Sequence, residues 1–198
     1  MTNACRDSGE VVRISTPKVE RLVPGDCLLA SFLIGIILVI SVGSFSAGAV
    51  AGELAPNFTL TLYDDERELG ASSVELADLW GRPVVLNFWA PLCPPCRAEM
   101  PDIQRFYQEF KDRVWVIGLD VGRFTDLGSR QQARELLNEL GITYATGFSE
   151  DESVMQAYEI RGIPTTVFID AKGEVFLTWH GIVDRDALTS MTIKMLDR

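Results

Sequence analysis

Cys93-Pro94-Pro95-Cys96 is the stretch of this sequence best suited to chemistry. Two cysteines separated by two residues can close a disulfide or supply half of a metal site. Context separates the two. The pair follows a short apolar run, Val84-Val85-Leu86-Asn87-Phe88-Trp89-Ala90, and precedes a helical pattern. A strand that ends in Cys-x-x-Cys at a helix start is a redox arrangement. The reason is electrostatic. A thiolate at the positive end of a helix macrodipole is stabilised, so its pKa falls and it becomes a usable nucleophile near neutral pH. A structural zinc site needs four ligands. The remaining cysteines, Cys5 and Cys27, lie far away in the chain, and His180 is the single histidine. No metal site is therefore expected. A purely structural disulfide closing so small a loop gains little from closure entropy. Redox chemistry is the stronger reading.

The elements that must position this pair can be followed along the chain. Phe58–Leu62 alternates and predicts a strand, with Asp64-Asp65-Glu66 as a polar turn after it. Val84–Ala90 predicts a central strand covered on both faces. Ile103, Phe106, Tyr107 and Phe110 form a helical stripe after Cys96, which Pro101 is expected to kink. Val114–Leu119 predicts the next buried strand, and Gln132–Leu140 a helix stopped by Gly141. A short strand over Tyr144–Phe148 and a short helix over Asp151–Tyr158 follow. Thr165–Ile169 and Glu174–Trp179 predict a hairpin around Ala171-Lys172-Gly173. Asp184 caps a last helix carrying Leu188, Met191 and Met195. Strands that alternate with helices and finish in a hairpin and helix give an α/β domain with a mixed central sheet flanked by helices.

Upstream of this domain the chain changes character. Residues 27–52 contain no charged side chain, and about 20 apolar residues suffice to span a bilayer. The first 26 residues hold Arg6, Arg13, Lys18 and Arg21, whereas beyond the apolar segment the first basic residue is Arg67. This asymmetry predicts a cytoplasmic tail over 1–26, a transmembrane signal anchor over 27–52 and an extracytoplasmic domain over 53–198. Ala47-Gly48-Ala49 and Ala49-Val50-Ala51 also fit a signal-peptide cleavage site, but the long upstream tail of mixed charge favours an uncleaved anchor. Residues 1–26 balance four basic against four acidic side chains, so the whole net charge of −10 belongs to residues 53–198. Such an acidic domain is not expected to bind nucleic acid.

The segment Asn87-Phe88-Trp89-Ala90-Pro91-Leu92-Cys93-Pro94-Pro95-Cys96-Arg97-Ala98-Glu99-Met100-Pro101 resembles the active-site stretch of the TlpA/ResA-like thioredoxins. These are membrane-tethered thiol–disulfide oxidoreductases of the bacterial cell envelope, within the redoxin superfamily. Ala55-Pro56-Asn57-Phe58, Gly81-Arg82-Pro83-Val84-Val85, Gly162-Ile163-Pro164-Thr165-Thr166 and Phe168-Ile169-Asp170 match as well. Agreement at several spaced motifs makes the resemblance specific. It implies a thioredoxin-like fold with an extra helical insertion between Asp120 and Glu159, and a catalytic domain on the periplasmic side of a single-pass membrane anchor. It implies that Cys93 is the exposed attacking sulfur and that the more buried Cys96 resolves the mixed disulfide. Pro164 would be cis and would offer the backbone of Ile163 for pairing with an extended substrate segment. Glu99 would take or return a thiol proton, although a first-turn Glu that merely favours the helix dipole fits its position equally well. The family usually has Trp where this chain has Leu92, which bears on partner docking more than on the chemistry. No cofactor is implied beyond the redox-active disulfide. The implied partners are protein disulfides such as those of apocytochrome c, and a transmembrane electron donor of the DsbD/CcdA type.

Neither Pro94 nor Pro95 carries an N–H, so two donors that could stabilise the Cys93 thiolate are absent. A more reducing disulfide than in strongly oxidising Cys-x-x-Cys proteins is expected. Two other functions fit less well. A peroxiredoxin-type peroxidase requires a Thr two or three residues before its cysteine, and Ala90-Pro91-Leu92 has none. A copper-delivery module spaces its cysteines one residue further apart and adds a nearby His. A binding domain with a vestigial disulfide stays open on sequence grounds.

Overall fold

A computed structural model describes residues 52–63 and 69–198. The tail 1–26, the apolar segment up to residue 51 and the turn Asp64-Asp65-Glu66 lie outside the described residues. Among the described residues no helix is long and apolar enough to cross a membrane.

All six residues of β3 (Val84–Trp89) are buried, which makes this apolar run the axis of the fold. It pairs in parallel with β4 (Trp115–Asp120) and antiparallel with β6 (Thr165–Ile169). Its side chains alternate between two cores, as strand geometry requires. Val84, Leu86 and Phe88 join Phe58, Leu60, Leu76 and Tyr158 in one cluster. Val85 joins Ile103, Phe106 and Phe110 of α1 (Pro94–Phe110) and Leu188 and Met195 of α5 (Arg185–Leu196) in the other. The helical stripe thus faces the sheet, and α1 runs on through Pro101 without ending. Asp184 caps α5 by accepting the Ala187 amide at 2.8 Å.

The segment between Asp120 and Glu159 contributes three helices and a strand. These are α2 (Gly122–Thr125), α3 (Arg130–Leu140), β5 (Ala145–Phe148) and α4 (Ser153–Ala157). Helix α3 opens two residues earlier than the apolar pattern predicts, because Ser129 and Gln132 form a capping box ahead of it. It stops at Gly141, whose φ of 62° is the left-handed value glycine tolerates. Strand β5 runs parallel to β4 and antiparallel to β1 (Thr59–Leu62). It therefore separates β1 and β2 (Ser73–Glu75) from the central strands, and the order is β2-β1-β5-β4-β3-β6-β7, with β7 spanning Val175–His180. The predicted mixed sheet flanked by helices is present. Strand β2, the 3-10 turn Leu76–Leu79 and α2 were not expected; each is too short to carry a period.

The chain enters this fold beside the β6–β7 turn. The Val175 amide donates to the Glu53 carbonyl and the Ala55 amide to the Gly173 carbonyl, both at 2.8 Å. This turn lies at the end of the sheet opposite the C-terminal end of β3, since Ile169 pairs with Val84 and Thr165 with Phe88.

Strand β5 leaves no room for a side chain at Gly147, where an added Cβ would collide with the Thr61 carbonyl of β1. Backbone cannot yield as a side chain does. Gly147→Ala is expected to destabilise the domain by about 1–3 kcal/mol, read as a lower denaturant midpoint at unchanged slope.

Candidate active site

Strand β3 delivers the chain to Cys93, which is the N-cap of α1. Cys93 and Cys96 form a disulfide with their Cα atoms 5.3 Å apart. Pro94 and Pro95 fill the first two helical positions, where a missing N–H leaves no helical bond unmade. The Cys96 amide is consequently the first donor of the helix, and it points at the Cys93 Sγ at 3.3 Å. One first-turn amide serves this sulfur where a helix start free of prolines would offer more. Cys93 is only 3% exposed and Cys96 is fully buried, so the expected order holds but the expected exposure of Cys93 does not. Both cysteines sit in a cluster with Trp89, Met100 and Phe148, and Ile163 packs against it. Leu92, at 49% exposure, takes the outer position.

Glu99 follows Cys96 by three residues, the spacing that makes side chains neighbours on one helix face. That face points inward. Glu99 is 1% exposed, which excludes the solvated first-turn acid as its description. Its Oε1 accepts from Asn87 Nδ2 at 2.7 Å, and its Oε2 accepts from the Val183 amide at 2.9 Å. Asn87 Nδ2 also donates to Thr166 Oγ1 at 3.0 Å. Burial pushes the Glu99 carboxyl up to about 7, against the two hydrogen bonds that favour its charged form.

The Ile163–Pro164 peptide bond is cis. The Pro164 carbonyl accepts the Gly181 amide at 2.9 Å. The turn Gly181–Val183 is therefore tied at one end to the Pro164 loop and at the other to Glu99. It carries Ile182, which is 55% exposed. This turn belongs to the site, although the sequence pattern does not predict it. Its contribution is a main-chain amide and one exposed apolar residue, and no motif spells either. The Ile163 backbone N–H and carbonyl have no hydrogen-bond partner among the described residues. His180 Nδ1 lies 3.5 Å from Thr165 Oγ1. It shares a groove of about 680 Å³ with Ile163, Pro164, Glu159 and Arg161. Phe88, Trp89 and Met100 are fully buried core, as expected.

The AhpC/TSA family model matches residues 51–177. The chain is 34% identical over 137 residues to the thiol-disulfide oxidoreductase ResA of Oceanobacillus iheyensis, covering 69% of this chain and 68% of the relative. It is 30% identical to ResA of Geobacillus kaustophilus, over 80% of this chain and 86% of that one. This chain belongs to the ResA-like thiol–disulfide oxidoreductases of the AhpC/TSA family. The thioredoxin-like fold agrees. A Chlorobium tepidum structure described as a DsbE-type thiol:disulfide interchange protein superposes with a TM-score of 0.63 at 26% identity, covering 74% of this chain and 97% of that one.

In a ResA-like enzyme the dithiol and disulfide forms of one Cys-x-x-Cys pair interconvert, and Cys93–Cys96 is that pair here. Glu99 has a linked effect on stability. Its carboxyl titrates at an ordinary 4.5 when unfolded and about 7 when folded. Between those values the folded chain holds a proton that the unfolded chain has released. Stability is therefore fully present below the window, falls as pH rises through it and levels off above it. The loss contributed by Glu99 is roughly 3 kcal/mol. In Glu99→Gln that part of the slope should vanish, which unfolding of oxidised protein on either side of the window will show.

Proposed function

We propose that this protein reduces protein disulfides outside the cytoplasm, held at the membrane of a bacterial cell by its apolar segment 27–52. The observation that carries the direction is the helix start. With Pro94 and Pro95 in place, a single amide reaches the Cys93 sulfur. The thiolate is then weakly stabilised, and a dithiol that is not held in its reduced form gives its electrons away readily.

The cycle balances as follows. The Cys93 thiolate attacks one sulfur of the partner's disulfide. That disulfide breaks, its second sulfur leaves as a thiolate and takes a proton, and a mixed disulfide joins Cys93 to the partner. Cys96 loses its proton, and its sulfur attacks the Cys93 Sγ. The partner's remaining sulfur leaves as a thiolate and takes a second proton, so the partner departs as a dithiol, two electrons richer, and Cys93–Cys96 is oxidised. Glu99 is the group suited to accept the Cys96 proton, since it sits one helical turn away and titrates near neutrality. The free backbone of Ile163 pairs with the partner's extended segment, and Leu92 and Ile182 supply apolar contact. A transmembrane dithiol donor of the DsbD/CcdA type returns the enzyme to its reduced form. Apocytochrome c, whose Cys-x-x-Cys-His segments must be reduced before haem attachment, is the leading substrate.

Cys96→Ser tests this reading. With the resolving thiol gone, mixed disulfides with envelope proteins should accumulate on Cys93 and disappear in Cys93→Ser. Their absence above that background would sink exchange as the activity. A measured reduction potential near that of strong periplasmic oxidants would reverse the direction.

A further inference from the structure

A second buried carboxylate, Asp120, flanks the cysteine cluster and has no part in the cycle above. It ends β4, opposite Trp89 of β3, and is 5% exposed. Its Oδ2 accepts from the Tyr63 hydroxyl at 2.5 Å, and its Oδ1 accepts from the Gly122 amide at 2.7 Å. Tyr63, just past β1, shares the cluster of Cys93 and Cys96. The charged groups around this pair come from α3. Arg134 lies 5.1 Å from the Tyr63 ring, and Arg130 lies 3.6 Å from the Phe148 ring. Arg130 also pairs with Glu150 at 2.7 Å.

The hydrogen bonds continue from Asp120 to the reactive loop. The Gly122 carbonyl accepts the Leu127 amide at 3.0 Å, and the Leu127 carbonyl accepts the Leu92 amide at 2.8 Å. Van der Waals contact runs alongside. A Cβ at Gly122 would lie 2.8 Å from Pro91 Cδ, and one at Gly128 would lie 2.5 Å from Pro91 Cγ and 3.2 Å from Leu92 Cγ. The loop from Gly122 to Gly128 is thus the seat of Pro91-Leu92, and Asp120 is where that seat is fastened to the sheet. Cys96 and Glu99 are held by other means, through α1, Asn87 and Val183. What the seat fixes is therefore the place of the exposed Leu92 beside Cys93, and not the sulfur chemistry.

We propose that Asp120, gripped by the Tyr63 hydroxyl, is a positioning residue that sets the partner-docking surface at Leu92 through the Gly122–Gly128 loop. The inference rests on the disulfide-exchange reading of the site. It separates docking from chemistry, so its test must read both.

Tyr63→Phe keeps the ring and removes the grip. Losing a hydrogen bond to a buried charged group corresponds to roughly tenfold in an equilibrium. The expected result is a roughly tenfold rise in KM for insulin reduction with kcat within about twofold. The rate at which dithiothreitol reduces the Cys93–Cys96 disulfide, and the potential of that disulfide, should stay at the wild-type value. Amide exchange should quicken at Leu92 and Leu127 while β3 and β4 remain protected. Gly128→Ala attacks the same seat from its other side and should give the same split; it decides the matter if Tyr63→Phe does not fold. Unchanged KM and unchanged Leu92 exchange in a folded variant would overturn the proposal. So would a shifted potential with KM unmoved, which would make the pair a tuner of the sulfurs. Wild-type protein that cannot reduce insulin would bring down the exchange reading itself, and this proposal with it.

Discussion

The withdrawal of the Glu99 carboxylate from water is the constraint on which the site depends. A buried charge must be hydrogen-bonded or give up its charge. Glu99 does some of both. It takes a donor from Asn87 on β3 and another from the turn before α5, and its titration still moves up to about 7. Asn87 in turn reaches Thr166 on β6. One carboxylate therefore joins the cysteine helix, the two central strands and the turn that carries Ile182. The pieces of the site come from four separate stretches of chain, and this group holds them in register.

The rest of the fold can be seen as support for that junction. β3 is buried along its whole length, so its end is fixed in depth and the cysteines appear at a defined height above the sheet. The two cores meet it from opposite faces, and α1 cannot rotate without exposing Ile103, Phe106 and Phe110. Such rotation is what would swing Glu99 toward solvent. Burial of the apolar stripe and burial of the acid are thus the same geometric fact, since both lie on the inward face of one helix.

Much of this was legible in the residues. The run Val84–Ala90, the stripe from Ile103 to Phe110, Gly141 and Asp184 each signal their structure through local physics, and each lies where those signals place it. Local signals fail where the partner is a backbone atom or a distant residue. No pattern announces that the Val183 amide meets Glu99 across 84 positions, or that Tyr63 meets Asp120 across 57. Glu99 was ambiguous for the same reason. A helix-start acid and a buried acid look alike until tertiary packing decides which way the helix faces. The cover over Cys93 was equally hidden, because it includes Tyr63, Phe148 and Ile163, which the fold and not the motif brings there.

The entry of the chain beside the β6–β7 turn has a mechanical side. Glu53 and Ala55 are fastened there by two backbone hydrogen bonds, at the pole of the sheet away from the cysteines. A pull on the chain at Glu53 loads that hairpin first. From that hairpin it reaches Cys93 along the full length of β3 and β6, strands whose ladder bonds run across the line of force and share it. A load taken up by the hairpin is thereby spread over the sheet before it arrives at the reactive pole.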